Sequence, residues 1–221
     1  MLMVNCFEKL KYVIRYPENF SEIKKYPLVI YLHGAGGRGT DISIIQNHGF
    51  FHETEKYNFN AIFMAPQCYE DSWFSIFEQL QKFAVYAKTL DYVDKEHIYL
   101  IGASMGGYAT WQLAMTMPDI FAAIVPICGG GMYWNAGRLK NMGVWAFHGE
   151  CDPIVYCEES KKMVQAVNNN DGHAKLTVYS GIEHNAWLPT FNNEGMWAWL
   201  WTQKCNYIEE VSQYNDVKKF G

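Results

Sequence analysis

The sequence predicts an α/β fold with a mostly parallel central sheet and helices on both of its faces. Two observations carry this. Short apolar runs rich in β-branched and aromatic residues alternate along the chain with stretches whose apolar residues recur at helical spacing. Several of the short runs are apolar without interruption, as strands covered on both faces are. In such sheets the chemically active groups gather beyond the carboxyl ends of the strands. At 221 residues the chain suits one core, and a single domain over 1–221 is expected.

Residues 10–16 alternate apolar and polar like a half-buried outer strand, which Pro17-Glu18-Asn19 then breaks. Residues 26–32 are continuously apolar and end in His33-Gly34-Ala35-Gly36-Gly37. This glycine-rich turn lacks the GK[ST] ending of a phosphate loop and does not fit GxGxxG. It reads better as a loop whose backbone N–H groups face a developing oxyanion. Residues 60–65 give another buried strand, and residues 73–90 carry apolar side chains at helical intervals, predicting a crossover helix. Strands at 97–101, 121–127, 144–148 and 174–179 follow, with helices after the first, at 158–168, and over 197–204.

The stretch Gly102-Ala103-Ser104-Met105-Gly106-Gly107 joins one of these strands to the following helix. A serine presented on a sharp strand-to-helix turn needs small residues two positions away on each side, and Gly102 and Gly106 supply them. A serine hydroxyl is a weak nucleophile at neutral pH, so it needs a histidine to take its proton and a carboxylate to orient that histidine. Asp152 lies just past one strand end and His184 just past the last. Glu150 is the reserve for the acid, while His33 and His148 read as structural histidines. The backbone N–H of Met105 is expected as one oxyanion donor and that of Ala35 as the other, with Gly36 as its alternative.

The motifs His33-Gly34-Ala35-Gly36-Gly37, Gly102 to Gly107, His148-Gly149-Glu150-Cys151-Asp152-Pro153-Ile154-Val155 and His184-Asn185-Ala186-Trp187 span nearly the whole chain. Together they resemble α/β-hydrolases of the esterase type, with small carboxylesterases, family 1 carbohydrate esterases and polyhydroxybutyrate-depolymerase-like enzymes nearest. Prolyl-oligopeptidase-type peptidases are more distant. Dienelactone hydrolases resemble the fold too but carry cysteine at the nucleophile position, where this chain has Ser104. The resemblance implies acyl transfer to water by Ser104, Asp152 and His184, with no metal or organic cofactor. A peptidase with the same triad, or an inert hydrolase-fold binding module, is the alternative.

Only 16 residues, Cys128 to Gly143, separate two successive strands where lipases often carry a lid, so a minimal cap and an open site are expected. Trp73, Trp134 and Trp187 follow strand ends and are candidates for a surface that stacks on sugar or phenolic rings. The expected substrates are short acyl or aromatic-acyl esters, including acetylated or feruloylated oligosaccharides. A net charge of −5 without a basic cluster argues against nucleic acid. No apolar stretch reaches membrane-spanning length, and with no secretory signal a cytoplasmic location is expected. The six cysteines are scattered and read as reduced, mostly buried thiols.

Overall fold

The computed structural model describes residues 2–205. Among them the strands are β1 (Leu2–Phe7), β2 (Leu10–Arg15), β3 (Tyr26–Leu32), β4 (Ile62–Pro66), β5 (Val93–Ala103), β6 (Ala123–Ile127), β7 (Gly143–Gly149) and β8 (Lys175–Tyr179). They form one sheet in the order β1-β2-β4-β3-β5-β6-β7-β8. Strands β3 to β8 pair in parallel, while β2 runs antiparallel to β4 and to β1. The mostly parallel α/β architecture predicted from the sequence is the one observed.

The β1–β2 hairpin is a feature the sequence does not announce. Its Phe7↔Leu10 pairing leaves a two-residue turn of Glu8 and Lys9, with Glu8 at φ 52°. Such turns usually carry Asn-Gly or Asp-Gly because their central residues need positive φ. Here a glutamate takes that position, so the signal is missing.

The helices are α1 (Ser43–Gln46), α2 (Gly49–Glu55), α3 (Phe77–Thr89), α4 (Met105–Thr116), α5 (Glu158–Asn168), α6 (Trp187–Phe191) and α7 (Glu194–Thr202). Strand periodicity divides the core between the two faces of the sheet. Leu28, Ile30 and Leu32 of β3 join Leu100, Phe83, Trp111 and Met163 on one side. Val29 and Tyr31 join Ile101, Phe50, Phe191 and Trp197 on the other. Each large side chain removed from water contributes roughly 1.5–3 kcal/mol, which explains why both sheet faces are covered.

Helix α3 begins at Phe77, four residues later than its apolar spacing suggests, because Trp73 is drawn into the core from the preceding loop. The short α1, α2 and α6 have too few turns to show a period. Between β6 and β7 the chain forms a 3-10 segment, Tyr133–Leu139, whose Ala136 and Leu139 are buried and which packs on α4 and α5. The cysteine expectation holds in part: Cys68, Cys128 and Cys157 are buried, but Cys6 and Cys151 are exposed. No helix among the described residues is long and apolar enough to cross a membrane.

Candidate active site

Ser104 follows β5 and precedes α4 as its N-cap residue, with φ 56° and ψ −118°, a conformation that strains a residue with a Cβ. The turn is tight enough to explain its glycines. A Cβ on Gly102 would lie 2.3 Å from the Gly106 carbonyl oxygen, and one on Gly106 would lie 1.9 Å from the Leu32 carbonyl oxygen. The Ser104 N–H donates to the Ile127 carbonyl at 2.8 Å, fastening the turn to β6.

His184 stands between this serine and a carboxylate. Its Nε2 is 2.8 Å from Ser104 Oγ and its Nδ1 is 2.7 Å from Asp152 Oδ2. The other Asp152 oxygen, Oδ1, accepts the N–H groups of Ile154 and Val155, each at 2.9 Å. Burial works to raise the Asp152 pKa, but the His184 bond and these two amides outweigh it and hold the carboxyl below its ordinary value. Glu150, the reserve acid, is engaged elsewhere: its Oε2 accepts the Ser180 hydroxyl and the Gly181 N–H.

His148 and His33 are both buried. His148 bonds Ser160 Oγ and the Val155 carbonyl, and its Nε2 lies 3.3 Å from Asp152 Oδ2. His33 Nε2 accepts the Cys68 N–H at 2.9 Å, which leaves Nδ1 to donate to the Gly34 carbonyl at 2.6 Å. Burial pushes the His33 pKa down to about 4. Together with Gln67, whose Nε2 donates to the carbonyls of Gly37 and Asp41, it holds the glycine-rich loop in place.

That loop forms a single 3-10 turn over Ala35–Gly37 beside the serine. A Cβ on Gly34 would lie 3.4 Å from the Ser104 Cβ and 3.9 Å from its Oγ. The Gly37 and Arg38 N–H groups bond back to Gly34 and Ala35. Those of Ala35, Gly36 and Met105 have no protein acceptor among the described residues, as expected for the first amides of a helical turn.

A cavity of about 380 Å³ opens over Ser104 and His184, lined also by Tyr31, Gly34 to Gly37, His48, Ala103, Ile154 and Trp187. Trp187 meets the His184 ring edge to face, with centroids 5.5 Å apart. The other two tryptophans expected at the site are corrected. Trp73 is fully buried and donates from Nε1 to the His33 carbonyl at 3.0 Å, so it supports the loop from beneath and offers no stacking face. Trp134 is 72% exposed but does not line the cavity, because Ala136 and Leu139 draw its segment onto α4 and α5.

Tyr31, His48 and Ile154 are cavity residues that sequence reasoning misses as such. Tyr31 sits in a strand that reads as wholly buried, and His48 precedes the serine in the chain and is passed over as a base. The available signal was a second phenol, Tyr31, near the carboxyl end of a strand that opens on Tyr26 and is aliphatic between them.

Two groups of side chains bring potential metal-ligand atoms within 4.8 Å of one another among the described residues. One is Asp152 and His184 with Cys128, whose thiol donates to the His184 carbonyl at 3.2 Å and whose pKa burial pushes up to about 12. The other, Asp94, Glu96 and His97, lies away from the cavity.

The serine–histidine–carboxylate relay, the free amides and the adjoining cavity have the geometry that acyl transfer requires. Known proteins give the arrangement a family context. A thermostable esterase superposes with a TM-score of 0.82 at 31% identity, over 92% of this chain and 63% of that one. Est1E from Butyrivibrio proteoclasticus shares the fold with a TM-score of 0.67–0.68 at 18–19% identity, over 91% of this chain and 98–99% of its own. Probable feruloyl esterase C of Aspergillus terreus is 25% identical over 170 residues, 73% of this chain and 62% of that protein. The chain thus spans somewhat under two thirds of the length of the thermostable esterase and of the feruloyl esterase. The narrower likeness to carbohydrate esterases expected from the sequence gives way to a broader assignment, since the profile of the dienelactone hydrolase family matches residues 57–195. With serine where cysteine was expected of that family, the chain belongs to the dienelactone hydrolase family.

Proposed function

We propose that the protein is a serine carboxylic-ester hydrolase that works through an acyl-enzyme on short acyl or aromatic-acyl esters. The observation that carries this reading is the continuous relay Ser104 Oγ, His184, Asp152 at 2.8 and 2.7 Å, opening into the cavity. His184 takes the Ser104 proton as Oγ attacks the ester carbonyl carbon. The N–H groups of Met105 and Ala35 hold the oxyanion, a contribution worth about 10²–10³ in turnover per donor. As the C–O bond to the alcohol breaks, His184 returns the proton to the leaving oxygen. Water then repeats the sequence, with His184 taking its proton, and releases the acid and Ser104. Asp152 fixes the His184 tautomer and stabilises the imidazolium.

The substrate side rests on three supports. The cavity is apolar in most of its lining, the segment between β6 and β7 lies on α4 and α5, and a sequence relative carries a feruloyl esterase name. Feruloylated or acetylated oligosaccharides fit these supports.

A fluorophosphonate probe should label Ser104 stoichiometrically, and intact protein left unlabelled would sink the reading. In a comparison of p-nitrophenyl acetate, a long-chain ester and a prolyl amide, the acetate should be hydrolysed fastest. A preference for the long chain would contradict the assignment to short acyl groups, and a preference for the amide would point to a peptidase.

A further inference from the structure

Two polar residues that the relay does not use line the cavity, Tyr31 and His48, and His48 also borders a second cavity beside Arg15 and Phe51. Tyr31 is 1% exposed, yet it lines the cavity, and its hydroxyl has no protein partner among the described residues. Its ring cannot swing away. It is stacked on Phe50 at 4.1 Å and 9° and meets Phe191 edge-on at 5.7 Å. Burial raises the pKa of the phenol, so the group stays protonated and can donate.

His48 stands beside it, with ring centroids 5.2 Å apart. Its Nδ1 accepts the Phe50 N–H at 3.1 Å and so caps α2. That bond leaves the proton of the neutral ring on Nε2. Burial lowers the His48 pKa, which keeps the ring neutral. Nε2–H therefore remains a donor with no protein acceptor among the described residues. The two groups thus have their orientation set by packing and by a helix cap before any ligand arrives.

We propose that Tyr31 and His48 form a hydrogen-bonding clamp that selects esters whose acyl group carries an oxygen substituent remote from the carbonyl, such as a ring hydroxyl. This rests on the esterase reading above and deepens it. The acyl group stays bonded to Ser104 through both half-reactions while the alcohol leaves for solvent, so the buried end of the cavity, where Tyr31 lies, suits the group that stays. A site whose polar groups are left unpaired by an analogue lacking the hydroxyl rejects that analogue strongly.

The test compares kcat/KM for methyl 4-hydroxycinnamate and methyl cinnamate, since the small alcohol leaves the acyl group as the part that fills the cavity. Wild type should prefer the hydroxylated ester by about tenfold or more. Tyr31→Phe should abolish most of that preference by lowering the rate on the hydroxylated ester alone. His48→Asn keeps a capping oxygen for Phe50 but withdraws the donor, and should reduce the preference as well. Variants that retain the wild-type ratio within twofold, or that slow both esters equally, would overturn the clamp. If wild type hydrolyses neither ester and Ser104 resists the fluorophosphonate, the esterase reading itself has failed.

Discussion

Gly149, at the end of β7, approaches the backbone of Glu183 so closely that a Cβ at this position would lie 2.0 Å from the Glu183 carbonyl oxygen. The loop bearing Asp152 and the loop bearing His184 are thus pressed together at their roots. The N–H of Cys151 also donates to the Ile182 carbonyl at 2.9 Å. The 2.7 Å bond between Asp152 and His184 depends on this seam. Gly149→Ala should push the loops apart, costing about 1–3 kcal/mol of stability. Because small misplacements of reacting groups are costly, ester hydrolysis should drop about 10²-fold. Urea unfolding and steady-state kinetics on the same preparation would show both effects.

Asp152→Asn should fold, because an amide oxygen can still accept the N–H groups of Ile154 and Val155. It would favour the wrong His184 tautomer, and kcat should fall about 10⁴-fold. Glu150→Gln should stay within about threefold of wild type, since its carboxylate serves Ser180 and Gly181. Kinetics on p-nitrophenyl acetate separate the two acids.

Ser104→Ala should lose hydrolysis while keeping the fold. Ser104→Gly should lose it too but unfold at a higher temperature than Ser104→Ala, by an amount equivalent to about 1 kcal/mol. The φ of 56° burdens any residue with a Cβ and costs glycine nothing comparable. Equal melting temperatures would mean that the turn stores no strain.

Acid should destabilise the protein through His33. Its folded pKa of about 4 lies below its ordinary 6.5, so between these values the unfolded chain binds a proton that the folded chain does not. Stability from this group is complete above pH 6.5 and is lost as pH falls through the window. About 2 kcal/mol should vanish between pH 7 and pH 5. His33→Gln should be less stable at pH 7 but show a shallower slope, measured by denaturant unfolding across that range.

The proximity of Ser104, Asp152 and His184 is legible in the sequence because each follows a strand end, and a parallel sheet brings successive strand ends to one edge. Gly102 and Gly106 are legible for the same local reason. Trp73 is not, since an aromatic residue after a strand turns inward or outward according to what lies beneath it, and here the His33 carbonyl supplies a partner for its indole. The β1 strand is hidden because Glu8 occupies a turn position that usually advertises itself with glycine or asparagine. Tyr31 and His48 escape because their meeting at one cavity depends on how α1 and α2 fold back over the sheet, and these helices are too short to show a period.

Strand β6 lies between the strand of the nucleophile and the strand of the acid, and the segment that leaves it meets the relay at its first residue, where the Cys128 thiol donates to the His184 carbonyl at 3.2 Å, but adds nothing to the cavity lining. Beyond Gly131 this segment touches none of these groups, and Ala136 and Leu139 anchor it in the core. Extra residues between Gly131 and Trp134 would change what reaches Ser104 without moving the strand ends that bring Ser104, Asp152 and His184 together.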